Sequence, residues 1–79
     1  MPWVRFVWND EIVEYIARHG VTPDEFEEVV LRSKKVRKSR SSGRPIVFGE
    51  TVNGRFLACV FEYVDTDLVI PVTAYEIDE

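Results

Sequence analysis

The chain has 79 residues, 46% of them hydrophobic, a formal net charge of −4 and a single cysteine, Cys59. That size and apolar fraction fit one small globular domain over residues 1–79 and exclude a disordered segment. One Cys and one His exclude an internal disulfide framework and argue against a zinc site. No apolar run is long enough to span a bilayer and no signal-peptide pattern opens the chain, so the expectation is a cytoplasmic protein with no cofactor and no metal.

Trp3 to Trp8 reads as a short strand of aromatic and β-branched residues, with Pro2 suited to its start. Asn9 is placed to cap a first helix, with Asp10 and Glu11 favouring its positive end. Ile12, Val13, Ile16 and Ala17 supply its apolar stripe, and Gly20 follows His19 where a left-handed cap would stop it. Thr22-Pro23-Asp24-Glu25 then combines an N-cap, a proline at the first helical position and a capping-box glutamate. Phe26, Val29 and Val30 form the buried face of this second helix, and Asp24, Glu25, Glu27 and Glu28 its solvated one.

From Ser33 to Arg44 the pattern is that of a loop, with Ser39, Ser41, Ser42 and Gly43 and no apolar period beyond Val36, its first residues able to extend the helix or a strand. Charge concentrates around it. Arg32, Lys34, Lys35, Arg37, Lys38, Arg40 and Arg44 are uninterrupted by any acid, in a protein whose overall balance is acidic. Such a belt can meet phosphate while its surroundings discourage indiscriminate binding.

Pro45–Val52 and Arg55–Tyr63 flank Asn53-Gly54, the signature of a hairpin with a type I′ turn. A two-residue turn would set Val52 opposite Arg55, Glu50 opposite Leu57, Phe48 opposite Cys59 and Ile46 opposite Phe61. Arg55–Tyr63, apolar on both sides, is the candidate central strand. Asp65-Thr66-Asp67 makes a turn into the last strand, Leu68–Tyr75, where Pro71 demands an open or bulged position. The order β-α-α-β-β-β predicts an α+β domain: a mostly antiparallel four-stranded sheet with two helices on one face.

Several segments together resemble the BrnT-type toxin family. They are Trp8-Asn9-Asp10-Glu11, Arg18 to Glu25, Arg44, Gly49, Gly54-Arg55-Phe56-Leu57, Val60-Phe61 and Val72-Thr73-Ala74. The resemblance covers nearly the whole chain. It implies a RelE-like fold and the toxin of a type II toxin–antitoxin pair, a ribonuclease that cleaves RNA to stop translation. It implies as partners a cognate antitoxin and RNA, including ribosome-bound mRNA, in a dimer or a toxin–antitoxin heterotetramer. Ile12 and Tyr75 stand where relatives often carry lysine and arginine. A second reading is therefore an inactive toxin-like module that binds an antitoxin and contributes to autoregulation.

RNA cleavage through the neighbouring 2′-hydroxyl needs a base, an acid and cations, and no metal. The candidates for this chemistry are His19, Arg44, Arg55 and Tyr75, with Lys35, Arg37, Lys38 and Arg40 as RNA-binding cations. His19 is the side chain that ordinarily titrates near neutrality, although a histidine there can instead bond the last helical carbonyls. Arg44 and Arg55 border strands, and Arg55 could equally pair with a carboxylate. Tyr75 could stack on a base or stand half-buried. Cys59 reads as a small core residue.

Overall fold

The computed structural model describes residues 4–33, 35–40, 43–65 and 67–77. The sequence readings at Pro2, Trp3, Lys34, Ser41, Ser42 and Thr66 lie outside the described residues. The elements are β1 (Arg5–Phe6), α1 (Asp10–Ala17), α2 (Pro23–Arg32), β2 (Arg37–Lys38), β3 (Pro45–Glu50), β4 (Phe56–Tyr63) and β5 (Leu68–Glu76).

Both helices begin as their capping residues dictate. The Ile12 amide donates to Asn9 Oδ1 at 2.9 Å. At α2 the box is reciprocal: the Glu25 amide donates to Thr22 Oγ1 at 3.2 Å, and the Thr22 amide to Glu25 Oε1 at 3.1 Å. Helix α1 stops at Gly20, whose φ is +78°. There the Gly20 amide bonds the Ala17 carbonyl and the Val21 amide the Ile16 carbonyl. Val21 and Ile16, both buried, close the end with the apolar contact usual for such a cap. Ala17, expected in the apolar stripe, is exposed; at eight residues α1 buries only Ile16 completely.

The strands form a five-stranded mixed sheet in the order β1-β5-β4-β3-β2. Two features depart from the expected four antiparallel strands. The belt supplies β2, an edge strand whose two residues are exposed and so carry no alternating apolar signal. Charged residues on an edge also discourage unwanted strand pairing. In addition, β1 runs parallel to β5, with the Arg5 amide on the Asp67 carbonyl at 2.7 Å and the Val7 amide on the Val69 carbonyl at 2.9 Å. That pairing joins distant parts of the chain, so no local turn announces its direction. The meander β3-β4-β5 is antiparallel, and β4 is central, as expected.

The β3–β4 hairpin keeps its glycine but not the expected register. Its pairs are Glu50 with Phe56, Gly49 with Leu57, Phe48 with Ala58, Val47 with Cys59 and Ile46 with Val60. The Gly54 amide bonds the Thr51 carbonyl at 2.9 Å and the Thr51 amide bonds the Arg55 carbonyl at 2.8 Å, so the loop has three residues, Val52-Asn53-Gly54. Gly54 has a φ of +83° and Asn53 is not in the left-handed region. A turn closed by one left-handed glycine accommodates strand twist as a type I′ pair does, but slips the register by a residue. Gly54→Val is expected to cost over about 1 kcal/mol, because a β-branched residue is strained at that φ. Urea denaturation at constant slope checks it; an unchanged midpoint would show that the turn tolerates a side chain.

The slip decides what each face carries. Val47, Leu57, Cys59, Phe61, Val69 and Ala74 face the helices and pack with Ile16, Val21, Phe26 and Val29. Ile46, Ala58 and Val60 lie on the opposite face, with Val72 and Ile77 against them. Both helices therefore cover one face. On β5, Val69 and Ala74 share the helix side despite their odd spacing, because the register shifts beside Pro71: Val60 pairs with Thr73, but Phe61 with Pro71. The bulge expected at Pro71 is present and reverses the alternation beyond it. Cys59 is fully buried in the core, and burial pushes its thiol from 9.0 up to about 12. It stays protonated and serves as packing.

Three of the four α2 acids expected to be solvated have partners instead. Glu25 binds Arg55, Glu27 Oε2 accepts from Trp8 Nε1 at 2.7 Å, and Glu28 Oε2 accepts from the Val52 amide at 3.0 Å and from Arg32 at 3.1 Å. They fasten the helix to the chain before α1 and to the hairpin tip.

Candidate nucleic-acid interface

Three aligned strands build the uncovered face. Phe48 of β3 pairs with Ala58 of β4, and Ala58 with Tyr75 of β5, so one row crosses the sheet as Phe48-Ala58-Tyr75. Directly paired residues project to the same side. Ala58 is a buried floor, and the rings beside it are 39% and 40% exposed. Two strand spacings separate them, about 10 Å between Cα atoms. Phe48 is backed by Phe56, with ring centroids 6.4 Å apart and planes 14° from parallel. The bulge beside Pro71 is what delivers Tyr75 here: unbroken alternation from Val69 would have turned it towards the helices.

Strand β2 brings charge to this row. Arg37 pairs with Ile46 and so projects on the uncovered face. A groove of about 390 Å³ is lined by Arg37, Lys38, Arg40, Ile46, Phe48 and Tyr75. The three cations are exposed and enter no ion pair with any described residue. They are held by the turn that joins β2 to β3. The Ser39 amide bonds the Arg44 carbonyl and the Gly43 amide the Ser39 carbonyl, both at 2.8 Å, and Gly43 has a φ of +71°. The belt is thus a hairpin laid along the sheet edge rather than a free loop.

The remaining predicted residues lie elsewhere. Lys35 lines a neighbouring groove. Arg44 Nε pairs with Glu62 at 3.2 Å, near the far end of β4 from Arg55. Arg55 Nη1 donates to both carboxylate oxygens of Glu25, at 3.0 and 2.9 Å, and its Nη2 donates to Glu76 at 3.3 Å. The hydrogen bond to Glu76, reinforced by the charges of Glu25 and Glu76, raises its guanidinium above the ordinary value. This arginine joins α2, β4 and β5, the pairing reading admitted from the sequence. His19 is exposed with its ring edge-on to Tyr15, centroids 5.4 Å apart. Its neighbour Gly20 abuts Arg55: a Cβ there would lie 3.4 Å from Nη2.

His19, Arg44, Arg55 and Tyr75 therefore do not converge. Tyr75 meets Arg37, Lys38 and Arg40. Phe48 was missed, because the two-residue turn set it opposite Cys59 on the core side. The available signal was its position, two residues from Ile46 on a strand that borders the belt.

Among the described residues, no helix is long and apolar enough to cross a membrane. Comparisons with protein-family models, with curated proteins and with solved structures find no match.

Proposed function

We propose that this protein is the toxin of a type II toxin–antitoxin pair, with a RelE-like fold, and that it cleaves RNA in the cytoplasm without a metal. The single observation that carries the RNA reading is the groove in which Phe48 and Tyr75 stand beside Arg37, Lys38 and Arg40. Unpaired bases stack on aromatic faces, and the backbone follows cations. A row of rings on an uncovered sheet beside an edge of positive charge supplies both. Cleavage would proceed by attack of the 2′-hydroxyl on the adjacent phosphorus with departure of the 5′-oxygen. Arg37, Lys38 and Arg40 would stabilise the charge that accumulates on the phosphorane. The Tyr75 hydroxyl would give its proton to the departing 5′-oxygen while the 2′-hydroxyl loses its own to solvent water.

The second reading, an inactive toxin-like module that binds an antitoxin and contributes to autoregulation, is favoured by the ion pairs of Arg44 and Arg55. Those arginines are committed to Glu62, Glu25 and Glu76. The two readings separate when the purified protein is incubated with single-stranded RNA, with and without chelator, and the product ends are analysed. Products ending in 2′,3′-cyclic phosphate, formed equally in chelator, support the toxin. Binding without cleavage supports the module.

His19→Ala tests where the chemistry lies. The ring touches Tyr15 and is not among the residues that line the groove, so cleavage and RNA affinity should be retained and stability should change by no more than ~0.5 kcal/mol. Loss of cleavage in a folded variant would move the reaction to the corner at Gly20 and Arg55.

A further inference from the structure

A second groove opens where β2 parts from β3. It has a volume of about 680 Å³, and its lining includes Val29, Arg32, Lys35, Arg37, Phe48 and Glu50. Strand β2 pairs with β3 only at Pro45 and Ile46, so β3 continues to Glu50 without a described neighbour on that side. Alternation of the antiparallel ladder fixes where its backbone points. The Thr51 amide bonds the Arg55 carbonyl on the β4 side. Counting back, Gly49 and Val47 bond towards β4, and the amides and carbonyls of Phe48 and Glu50 point into the groove.

An open run of backbone donors and acceptors accepts another strand. The side chains indicate its chemistry. Arg32 at the end of α2, Lys35 and Arg37 provide positive charge on the far wall; Lys35 and Arg37 enter no ion pair with a described residue. Phe48 and Phe56, stacked, give an apolar surface on the uncovered side. We propose that this groove binds an extended protein segment of alternating acidic and aliphatic residues, which adds as a strand to β3. Its backbone pairs with Phe48 and Glu50. Its aliphatic residues lie beside Phe48, and its acidic residues, on the other face of the added strand, reach across the groove to Arg32 and Lys35. The site shares Arg37 and Phe48 with the groove that holds Tyr75 but adds Arg32, Lys35 and the open edge of β3, and it stands whether or not the protein cleaves RNA.

The test uses the full chain and an acetylated hexapeptide, Glu-Val-Glu-Ile-Glu-Val, with a lysine-for-glutamate peptide as control. Amide hydrogen exchange and chemical shifts are followed on addition. Protection of the Phe48 and Glu50 amides by the acidic peptide, and not by the basic one, is expected. Glu50→Pro removes one outward amide at an edge position where proline is tolerated, and should weaken the peptide by about tenfold. It should leave the affinity for single-stranded RNA unchanged. Lys35→Glu should weaken the peptide similarly and make its binding less dependent on salt. Equal binding of the two peptides, or no protection at Phe48 and Glu50 in the unmodified protein, would overturn the proposal. So would capture of RNA but not peptide by this groove. The exchange measurement on the unmodified chain decides the matter even if Glu50→Pro fails to fold.

Discussion

Phe26→Ala is expected to remove about 3–5 kcal/mol of stability. The ring is fully buried in α2, edge-on to Trp8 at 5.4 Å and to Phe6 at 6.2 Å between centroids. The ring sits in the core cluster between the helices and the sheet, so truncation leaves a cavity there. A domain of this length has roughly 4–12 kcal/mol in total at ordinary values per residue, so the loss is about a quarter of it or more. Phe48→Ala supplies the contrast. Its ring is 39% exposed and rests on Phe56, so truncation there should cost under ~1.5 kcal/mol. Both are read from denaturant midpoints at constant slope. Equal midpoints would mean that the helices do not rest on Phe26 as described.

What could be read from the sequence followed local chemistry. Asn9, Thr22 with Glu25, and Gly20 act on residues within a turn of themselves, and each is found doing so. Pro71 could be read as a bulge because a missing amide is a property of that residue alone. The face that the bulge gives to Tyr75 could not, since it depends on where β4 pairs. The hairpin shows the same limit. Asn53-Gly54 announces a turn, but two-residue and three-residue closures both suit Gly54, and the choice moves Phe48 from core to surface. Strand β2 could be read only as one option for the first residues of a loop, because edge residues exposed on both sides have no period. The α2 acids were misjudged because their partners, Trp8, Val52 and Arg55, are remote in sequence. Arg55 and Arg44 could be placed at strand ends, whereas the carboxylates that occupy them belong to other strands and to α2.

Tyr75→Ala is expected to lower affinity for single-stranded RNA by ~5- to 150-fold, the ~1–3 kcal/mol of one stacked base. Tyr75→Phe should retain that affinity, since the ring and not the hydroxyl makes the stack, while slowing cleavage if the hydroxyl carries a proton. The salt dependence distinguishes this effect from that of the belt. Changing Arg37, Lys38 and Arg40 to Ser should flatten the slope of log affinity against log salt, by up to ~0.7 for each cation on a single-strand phosphate. Tyr75→Ala should leave the slope alone, because stacking releases no counterions. If both rings beside Ala58 hold one strand of RNA, combining Tyr75→Ala with Phe48→Ala should lose less than the sum of the separate losses, because a strand already freed at one ring gains little from the other. Folding should survive all of these changes, as every altered side chain is exposed. An RNA affinity unmoved by Tyr75→Ala would take the bases off this face, leaving the cations of β2 as a charged edge that keeps other strands away.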